Sequence, residues 1–253
     1  LFLLIVSRIN YALKMMSESP EYQQDNLLSP TVAHFPSGTL FHLFSTPVYA
    51  TRVSNLDEIQ EEIGRSYRKN TFTYKEDFGM THQLSDTSFG GNVIVKDGLK
   101  AFEKAIHFHL CNYMTGIKFP QDARSSKSNL EDVKYTISQS WWSKFGHRDY
   151  AHVHNHGNSD VSGVYYFQAP SSAEIATHNT AWGNQPEGSI YFSSPAPSSV
   201  TSFVYAHYAF KQSMLAEVGK MVLFPAYLDH GVTTNETKED RVSLAFNINF
   251  DKS

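Results

Sequence analysis

Histidine is the residue type in this chain whose spacing most plainly suggests chemistry. His152, His154 and His156 alternate in the segment Ala-His-Val-His-Asn-His-Gly, so an extended backbone would present all three imidazoles on one face. Two such neighbours can chelate a metal ion, and neutral imidazole is a nitrogen ligand that suits iron, zinc, copper and nickel. The spacing leaves open whether His152 and His154 or His154 and His156 form the chelating pair.

A more distant histidine can supply the third ligand. His230 follows the apolar run Met221 to Phe224, which is typical of a buried strand and which ends at Pro225. A strand that ends at proline and turns into Asp-His-Gly would place His230 at the mouth of a sheet. The alternative is that these histidines lie on surface loops and share no metal ion. Three histidines at a spacing of two make this alternative less expected.

An arginine and a serine lie at the start of the last strand that the sequence predicts. Apolar and polar residues alternate along 242–250, so Arg241 and Ser243 share the polar face. A guanidinium and a hydroxyl on one face can grip a carboxylate. An inward arginine needs such an anion, because an unpaired buried cation is costly. The alternative is a solvent-facing strand on which Arg241 pairs with Asp240 or Glu239.

The elements that must position these residues are two helices followed by a run of short strands. Asn55 can cap an amphipathic helix that carries Ile59 and Ile63 on its apolar face, and a second helix is predicted over about 97–114. A short edge strand is predicted at 43–49. The remaining predicted strands are 135–145, 162–168, 189–192, 221–224 and 242–250. This order predicts an α+β, mainly β, chain whose catalytic part is a sandwich or barrel.

The distribution of these elements predicts one domain after a lead-in. We expect residues 1–40 to form a poorly ordered extension and 41–253 to form one domain, with its helical part at about 55–116 and its β core at about 133–250. The apolar run at the start is too short for a membrane span or a signal segment, so we expect a soluble, cytoplasmic protein. Residues 169–188 are the best candidate for a mobile lid.

Composition limits the function classes that fit. Hydrophobic residues make up 41% and charged residues 18% of the 253 residues, which excludes an intrinsically disordered chain. With a net charge of −4 there is no basic field, so we expect neither a nucleic-acid nor a membrane partner. One cysteine cannot form an internal disulfide. We expect a small-molecule or peptide substrate, and the sequence leaves a homodimer open.

Three segments together resemble the 2-oxoglutarate- and iron(II)-dependent oxygenase family that is common in marine bacteria and their phages. They are His154-Asn-His156-Gly-Asn-Ser-Asp-Val-Ser-Gly-Val-Tyr-Tyr166, Gly219 to Val232, and Arg241-Val-Ser243-Leu-Ala-Phe-Asn247. The resemblance covers roughly 41–250. It implies a double-stranded β-helix, or jelly roll, with helices packed outside the major sheet. It also implies an enzyme that decarboxylates 2-oxoglutarate to succinate and hydroxylates an unactivated C–H bond.

The same resemblance implies roles for individual residues. It assigns three ligands of Fe(II), which are His154, His156 and His230. It assigns the binding of the far carboxylate of 2-oxoglutarate to Arg241 and Ser243. Tyr166 stands where a strand-borne tyrosine of related prolyl hydroxylases helps to bind that carboxylate.

Position 156 departs from the family pattern. The familiar iron site has two histidines and one carboxylate, whereas this chain has His156 at the carboxylate position. Three neutral ligands leave the site one charge more positive, which also suits zinc, nickel or an inactive centre. Asp160 or Asp149 could supply a carboxylate after a loop rearrangement.

Cupins, which share the jelly-roll fold, provide a second hypothesis. The spacing of Gly146 to His152 and His154, and of Gly219 to Pro225 and His230, echoes their two metal motifs. The glutamate expected after the first histidine pair is missing, and a cupin-like metal-dependent enzyme without 2-oxoglutarate would not need the arginine and serine of the last strand. A non-enzymatic jelly-roll binding protein is the third hypothesis.

Overall fold

The computed structural model describes most of the chain from residue 46 onward and a short hairpin before it. The described ranges are 32–35, 38–41, 46–75, 80–85, 91–117, 134–171, 187–195 and 211–251. The chain divides into two compact units, Leu1–Thr46 and Pro47–Ser253. Within the first unit, strands β1 (Val32–Phe35) and β2 (Gly38–Phe41) pair in antiparallel fashion. The domain limits predicted at residues 40 and 41 stay predictions, and most of the expected lid, 172–186, lies outside the described residues.

The second unit contains three described helices, α1 (Leu56–Lys69), α2 (Val93–Asp97) and α3 (Lys100–Ile117). The acidic side chains in the first turn of α1 and the basic ones in its last turn interact favourably with the helix dipole and so stabilise the helix. Asn55 precedes α1 as predicted, but its side chain makes no capping hydrogen bond, since its backbone is left-handed.

The helix predicted over about 97–114 is confirmed as α3, which lies three residues further along the chain at each end, and the short helix α2 precedes it. Gly98 adopts φ 64°, a left-handed conformation that ends α2, and its N–H bonds back to the last carbonyls of that helix. The short helix begins at Asn92, whose side chain accepts a hydrogen bond from the N–H of Val95 at 3.2 Å. Leu99 and Phe102, which belong to the apolar stripe from which a helix was predicted here, are both buried.

Eleven described strands complete the second unit. They are β3 (Tyr49–Arg52), β4 (Phe72–Lys75), β5 (Met80–Ser85), β6 (Tyr135–Phe145), β7 (Tyr150–His154), β8 (Val161–Gln168), β9 (Ile190–Ser193), β10 (Lys211–Met214), β11 (Lys220–Pro225), β12 (His230–Val232) and β13 (Arg241–Phe250). The strands predicted from residue 135 onward are confirmed to within one residue. The strand predicted over 43–49 is wrong in its described part, because residues 46–48 form no strand and β3 begins at Tyr49. Strands β4, β5, β7, β10 and β12 are additional.

These strands form one curled antiparallel sheet in the order β10-β9-β12-β7-β5-β6-β13-β8-β11-β3, with β4 paired beside β5. Strand β5 turns the corner, since its residues Met80 and Thr81 pair with β7 and its residues Gln83 and Leu84 pair with β6. The two arms of the sheet therefore face each other across an interior, which is the arrangement that a jelly roll requires.

The apolar face of β13 packs towards the helices, and its polar face borders the interior between the two arms of the sheet. Val242, Leu244, Phe246 and Ile248 are buried in the same hydrophobic core as the α3 residues Phe102, Ile106 and Leu110. The opposite face of β13 lines a cavity between the two arms of the sheet. The predicted alternation on the last strand is thus confirmed, and the helices pack outside the major arm. Within the described part of the chain, no helix has the length and hydropathy needed to cross a membrane.

Candidate active site

Three histidines meet at one end of the interior cavity. His154 on β7 and His230 on β12 are directly paired across the two strands. His156 lies two residues beyond, where its backbone N–H donates to the carbonyl of Ala226 at 2.8 Å. One ring nitrogen of each histidine lies within 4.8 Å of those of the other two. The fold therefore brings together the three residues that the sequence singled out as metal ligands.

His152 is not part of this cluster. Its side chain is exposed, and its ring lies against Tyr150 with a centroid distance of 5.1 Å. Its backbone carbonyl instead accepts a hydrogen bond from Nδ1 of His154 at 2.8 Å. Of the two chelating pairs that the sequence left open, the structure assembles His154 with His156.

Each histidine of the cluster has a hydrogen-bond acceptor behind its Nδ1 atom. Nδ1 of His230 contacts the carbonyl of Leu228 at 2.9 Å, and Nδ1 of His156 contacts Oδ1 of Asn247 at 2.7 Å. Since a carbonyl oxygen can only accept, Nδ1 carries the hydrogen in each ring, His154 included, and the lone pair remains on Nε2. Such outer contacts are typical of histidines that ligate a metal through Nε2.

Burial favours the neutral, metal-binding form of two of these rings, His230 and His156. Burial lowers the pKa of His230 to about 3, and nearby His154 acts in the same direction. Burial also lowers the pKa of His156, although its hydrogen bond to Asn247 opposes the shift. Neutral imidazoles are ready to bind a divalent cation without first losing a proton.

The two aspartates that could supply the carboxylate missing at position 156, Asp149 and Asp160, make hydrogen bonds elsewhere. Asp149 accepts hydrogen bonds from the N–H of Gly146 at 2.8 Å and from the hydroxyl of Tyr74. Asp160 accepts from the backbone N–H of Phe250 at 2.8 Å. Neither belongs to the histidine cluster, which contains no carboxylate among the residues that the structure describes. Three neutral imidazole ligands fit a divalent first-row metal, iron(II) included.

The cavity has a volume of about 380 Å³ and is lined by side chains from both arms of the sheet. Inward-facing residues of β6, β8 and β13 stand beside one another in rows: Arg241 with Phe145, Ser243 with Ser143, and Asn247 with Gln139 and Ser162. The row that contains Asn247 supports His156, and the hydroxyl of Ser162 donates to Oδ1 of Asn247 at 2.9 Å. Trp141 packs against His156 with a centroid distance of 5.4 Å.

Arg241 lines the same cavity as a buried cation. Its side chain is 2% exposed, and one terminal nitrogen lies 3.5 Å from the hydroxyl of Ser243. Its Nε atom has no hydrogen-bond partner among the residues that the structure describes. Its guanidinium carbon lies 4.7 Å from the ring centre of Phe145 and 4.9 Å from that of Tyr166, which are contacts to π systems rather than to an anion.

Arg241 does not form the ion pair with Asp240 or Glu239 that would neutralise its charge without a ligand. Asp240 pairs with Lys144 at 2.9 Å, and Glu239 accepts a hydrogen bond from the backbone N–H of Ser171. No carboxylate within the described ranges forms an ion pair with Arg241. A buried, unneutralised guanidinium with an unpartnered Nε fits a carboxylate ligand in the cavity.

Tyr166 was expected to touch the same ligand carboxylate, and it lies beside Arg241. It is fully buried, which raises the pKa of its hydroxyl, while the charge of Arg241 opposes that shift. Arg241 and Ser243 line the cavity, and Tyr166 packs beside Arg241 in the adjoining hydrophobic core, so the role expected of Tyr166 stays a prediction.

His82, Phe145 and Asn247 line the cavity but were not identified as site residues from the sequence. His82 is 4% exposed and stacks on Phe145 with a centroid distance of 4.3 Å and an interplanar angle of 6°. Burial lowers the pKa of His82 to about 4, and the charges of Arg241 and His154 act in the same direction. The polar character of Asn247 on a strand whose other face is apolar was the available signal for that residue, whereas no spacing pattern marks His82.

Comparison with known proteins agrees with this geometry. Residues 139–247 match the family model described as "Putative 2OG-Fe(II) oxygenase". This segment contains the three clustered histidines, Arg241, Ser243 and Tyr166. No protein among the curated sequences matches the chain.

Several solved structures resemble the chain. The 2-oxoglutarate-dependent epimerase SnoN from nogalamycin biosynthesis shares 10% identity with a TM-score of 0.50, covering 80% of this chain and 76% of its own. A Pseudomonas putida prolyl-4-hydroxylase shares 10% identity with a TM-score of 0.47 over 83% of this chain and 94% of its own. HygX from Streptomyces hygroscopicus, solved with nickel and 2-oxoglutarate, shares 12% identity with a TM-score of 0.47 over 81% and 83% of the two chains.

The likeness to SnoN shows a shared fold, so the predicted jelly roll with external helices is confirmed. The family match assigns Fe(II) as the metal and 2-oxoglutarate as the co-substrate. The three clustered imidazoles and the unneutralised Arg241 fit those two groups. The segment 139–247, which carries all of these residues, therefore matches the 2OG-Fe(II) oxygenase family.

Proposed function

We propose that this oxygenase is a dioxygenase that hydroxylates a small-molecule or peptide substrate. In this proposal three histidines hold the metal, namely His154, His156 and His230. Three further residues bind the far carboxylate of 2-oxoglutarate, namely Arg241, Ser243 and Tyr166. The observation that carries the proposal is that one cavity has three convergent imidazoles and also a buried cation that forms no ion pair within the described part of the chain.

The buried arginine supports this proposal over a cupin-like enzyme. A jelly-roll enzyme that needs only a metal gains nothing from an unneutralised guanidinium that is 2% exposed, because burying a lone charge is costly. A dianionic co-substrate offsets that cost, since its far carboxylate can accept charge-assisted hydrogen bonds from the guanidinium.

When bound, Fe(II) and 2-oxoglutarate supply the activation of dioxygen for C–H hydroxylation. The chain supplies orientation. The acceptors behind the Nδ1 atoms fix the ring positions and tautomers of the histidines. Phe145 and Tyr166 pack against the Arg241 guanidinium and help to fix its position for the carboxylate.

Calorimetric titration of 2-oxoglutarate into the Ni(II)-loaded protein tests the co-substrate part of the proposal. Arg241→Ala should weaken 2-oxoglutarate binding by about tenfold to a hundredfold, because it removes a charge-assisted contact in a secluded site. Arg241→Lys should restore only part of the affinity, since a point charge cannot reproduce the planar fork. Ser243→Ala should cost about 1 kcal/mol, as expected for one hydroxyl contact.

The affinity for Ni(II) itself is the internal control. Arg241→Ala should leave it unchanged, because Arg241 does not belong to the histidine cluster. Equal 2-oxoglutarate affinity in Arg241→Ala and in the wild type would refute the assignment of Arg241 to the co-substrate.

A further inference from the structure

Gln139 and Trp141 are two cavity side chains that the proposed mechanism does not use. They alternate on β6, both line the cavity, and both are partly exposed. The ring of Trp141 packs against the candidate ligand His156 at a centroid distance of 5.4 Å. Gln139 lies opposite Asn247, whose side chain contacts the same histidine. Both residues therefore lie beside the metal end of the cavity.

The co-substrate of the proposed function extends in the other direction from the metal. Of the β13 residues, Arg241 is the first and Asn247 the seventh, so the two lie at opposite ends of the inner face of this strand. Bound 2-oxoglutarate would run from the histidine cluster towards Arg241. A substrate that approaches the metal must use the space that the co-substrate leaves, and Gln139 and Trp141 border that space.

A chain of hydrogen bonds fixes the amide of Gln139. Oδ1 of Asn247 accepts from Nδ1 of His156 at 2.7 Å, and Nδ2 of Asn247 donates to Oε1 of Gln139 at 3.2 Å. The oxygen of the Gln139 amide is thereby engaged, whereas its Nε2 has no acceptor within the described part of the chain. An amide NH₂ group can only donate, so Gln139 places a hydrogen-bond donor at the cavity wall.

The surroundings of this donor favour an uncharged ligand. Among the described residues that line the cavity, Arg241 is the only lysine, arginine, aspartate or glutamate, and it lies at the other end. A charged substrate group would lose hydration here without gaining an ion pair, which is costly. An uncharged carbonyl can accept from the NH₂ group of Gln139, and the apolar atoms beside it can pack on the indole ring of Trp141.

We propose that Gln139 and Trp141 form the substrate-binding part of the cavity, and that the substrate is uncharged there and presents a carbonyl oxygen, as a peptide or another amide does. The inference rests on the proposed function and deepens it by naming the substrate class. The amide of Gln139 donates to the carbonyl oxygen, and the ring of Trp141 supports the apolar atoms beside it. Asn247 then orients both the ligand His156 and the donor to the substrate.

A matched pair of small amides tests the class of ligand. N-acetyl-alanine N-methylamide has two peptide groups and no charge, whereas alanine N-methylamide lacks the acetyl group and is a cation. In ¹⁵N-tryptophan-labelled protein loaded with Zn(II) and 2-oxoglutarate, the uncharged probe should shift the indole N–H resonance of Trp141 in a saturable way. The cation should bind at least about tenfold more weakly, because it finds no ion pair there. The spectrum of Trp141→Phe identifies the resonance.

Gln139→Glu separates the donor from the oxygen that holds Asn247. The substitution keeps an oxygen that can accept from Nδ2 of Asn247 but replaces the NH₂ donor with an acceptor. It should weaken binding of the uncharged probe at least about tenfold and should strengthen binding of the cation. Gln83→Glu, on β5 and outside the cavity lining, introduces the same charge and should leave both affinities unchanged. Calorimetry confirms that each variant is saturated with Zn(II) and 2-oxoglutarate.

Equal affinity for the uncharged probe in Gln139→Glu and in the wild type would overturn the inference, and so would an equal loss in Gln83→Glu. If Gln139→Glu does not fold, the titrations of the wild type still decide. A Trp141 resonance that the uncharged probe does not move, or that the cation moves equally well, would overturn the inference and leave the proposed function intact. A wild-type protein that does not bind 2-oxoglutarate in the presence of metal would contradict the proposed function itself.

Discussion

At the scale of single residues, the histidine cluster depends on the acceptors behind it. Two of these acceptors are backbone carbonyls, which no substitution removes, but the acceptor for His156 is the side chain of Asn247. The amide of Asn247 is itself held by Ser162 and by Gln139, whose Oε1 lies 3.2 Å from its Nδ2. Asn247 is therefore the replaceable group that orients one candidate ligand.

Replacement of Asn247 should weaken metal binding without removing a ligand. Asn247→Leu keeps the volume but removes the acceptor for Nδ1 of His156, and loss of such outer contacts typically costs about 10-fold to 100-fold in metal affinity. Titration with Ni(II) measures the effect. Asn249→Leu, on the same strand, is the control and should bind Ni(II) like the wild type. Unchanged affinity in Asn247→Leu would mean that the hydrogen bond does not position His156.

At the scale of elements, the close approach of β8 and β13 sets the floor of the cavity. Gly163 on β8 lies opposite Phe246 on β13, and an added Cβ would come within 2.2 Å of the Phe246 ring and 2.9 Å of the Leu223 side chain. Phe246 is fully buried against the helices, so it has little room to move. The strand that carries Tyr166 can therefore pack this closely against β13 only because residue 163 has no side chain.

Gly163→Ala should destabilise the fold. Overpacking of a filled core typically costs about 1–3 kcal/mol, and urea denaturation would measure it as a lower free energy of unfolding. Gly146→Ala is the control, because an added Cβ there would meet its nearest side-chain atoms at 3.5 Å, an ordinary contact distance. Equal stability of the two variants would mean that Phe246 can shift to make room.

Element prediction from this sequence succeeded where the hydrophobic pattern is long and failed where the strands are short and partly polar. Strands β6 and β13 are long and rich in branched and aromatic residues, so their periodicity is clear. Strands β5 and β12 are short and partly polar, and pairing with distant strands stabilises them. The histidines of 152–156 could be found from their regular spacing. His82 could not, because it reaches the cavity only through the pairing of β5 with both arms of the sheet.

At the scale of the whole molecule, buried neutral histidines couple the fold to pH. The pKa of His230 is lowered to about 3 and that of His82 to about 4, both chiefly by burial, whereas in the unfolded chain both would titrate near their usual value of 6.5. Between those limits the unfolded state binds more protons than the folded state. Stability from these groups is therefore present above pH 6.5 and is lost as the pH falls towards 3 to 4.

The metal-free protein should accordingly unfold more easily in acid. At about 1.4 kcal/mol per pKa unit, the loss between pH 7 and pH 4 should be on the order of several kcal/mol. Urea denaturation at pH 7, 6 and 5 would measure it. His82→Phe should show a shallower dependence, because it removes one of the groups that take up a proton on unfolding. A free energy of unfolding that stays constant over this range would contradict the neutral, buried state of these rings.

In the proposed function one cavity binds Fe(II) through three histidines and 2-oxoglutarate through that metal and Arg241. The visible absorption of the protein after anaerobic addition of Fe(II) and then 2-oxoglutarate tests this directly. We expect a weak charge-transfer band that needs both additions, is absent in His230→Ala, and needs a higher 2-oxoglutarate concentration in Arg241→Ala. No band in the wild type, together with no calorimetric binding of 2-oxoglutarate, would contradict it.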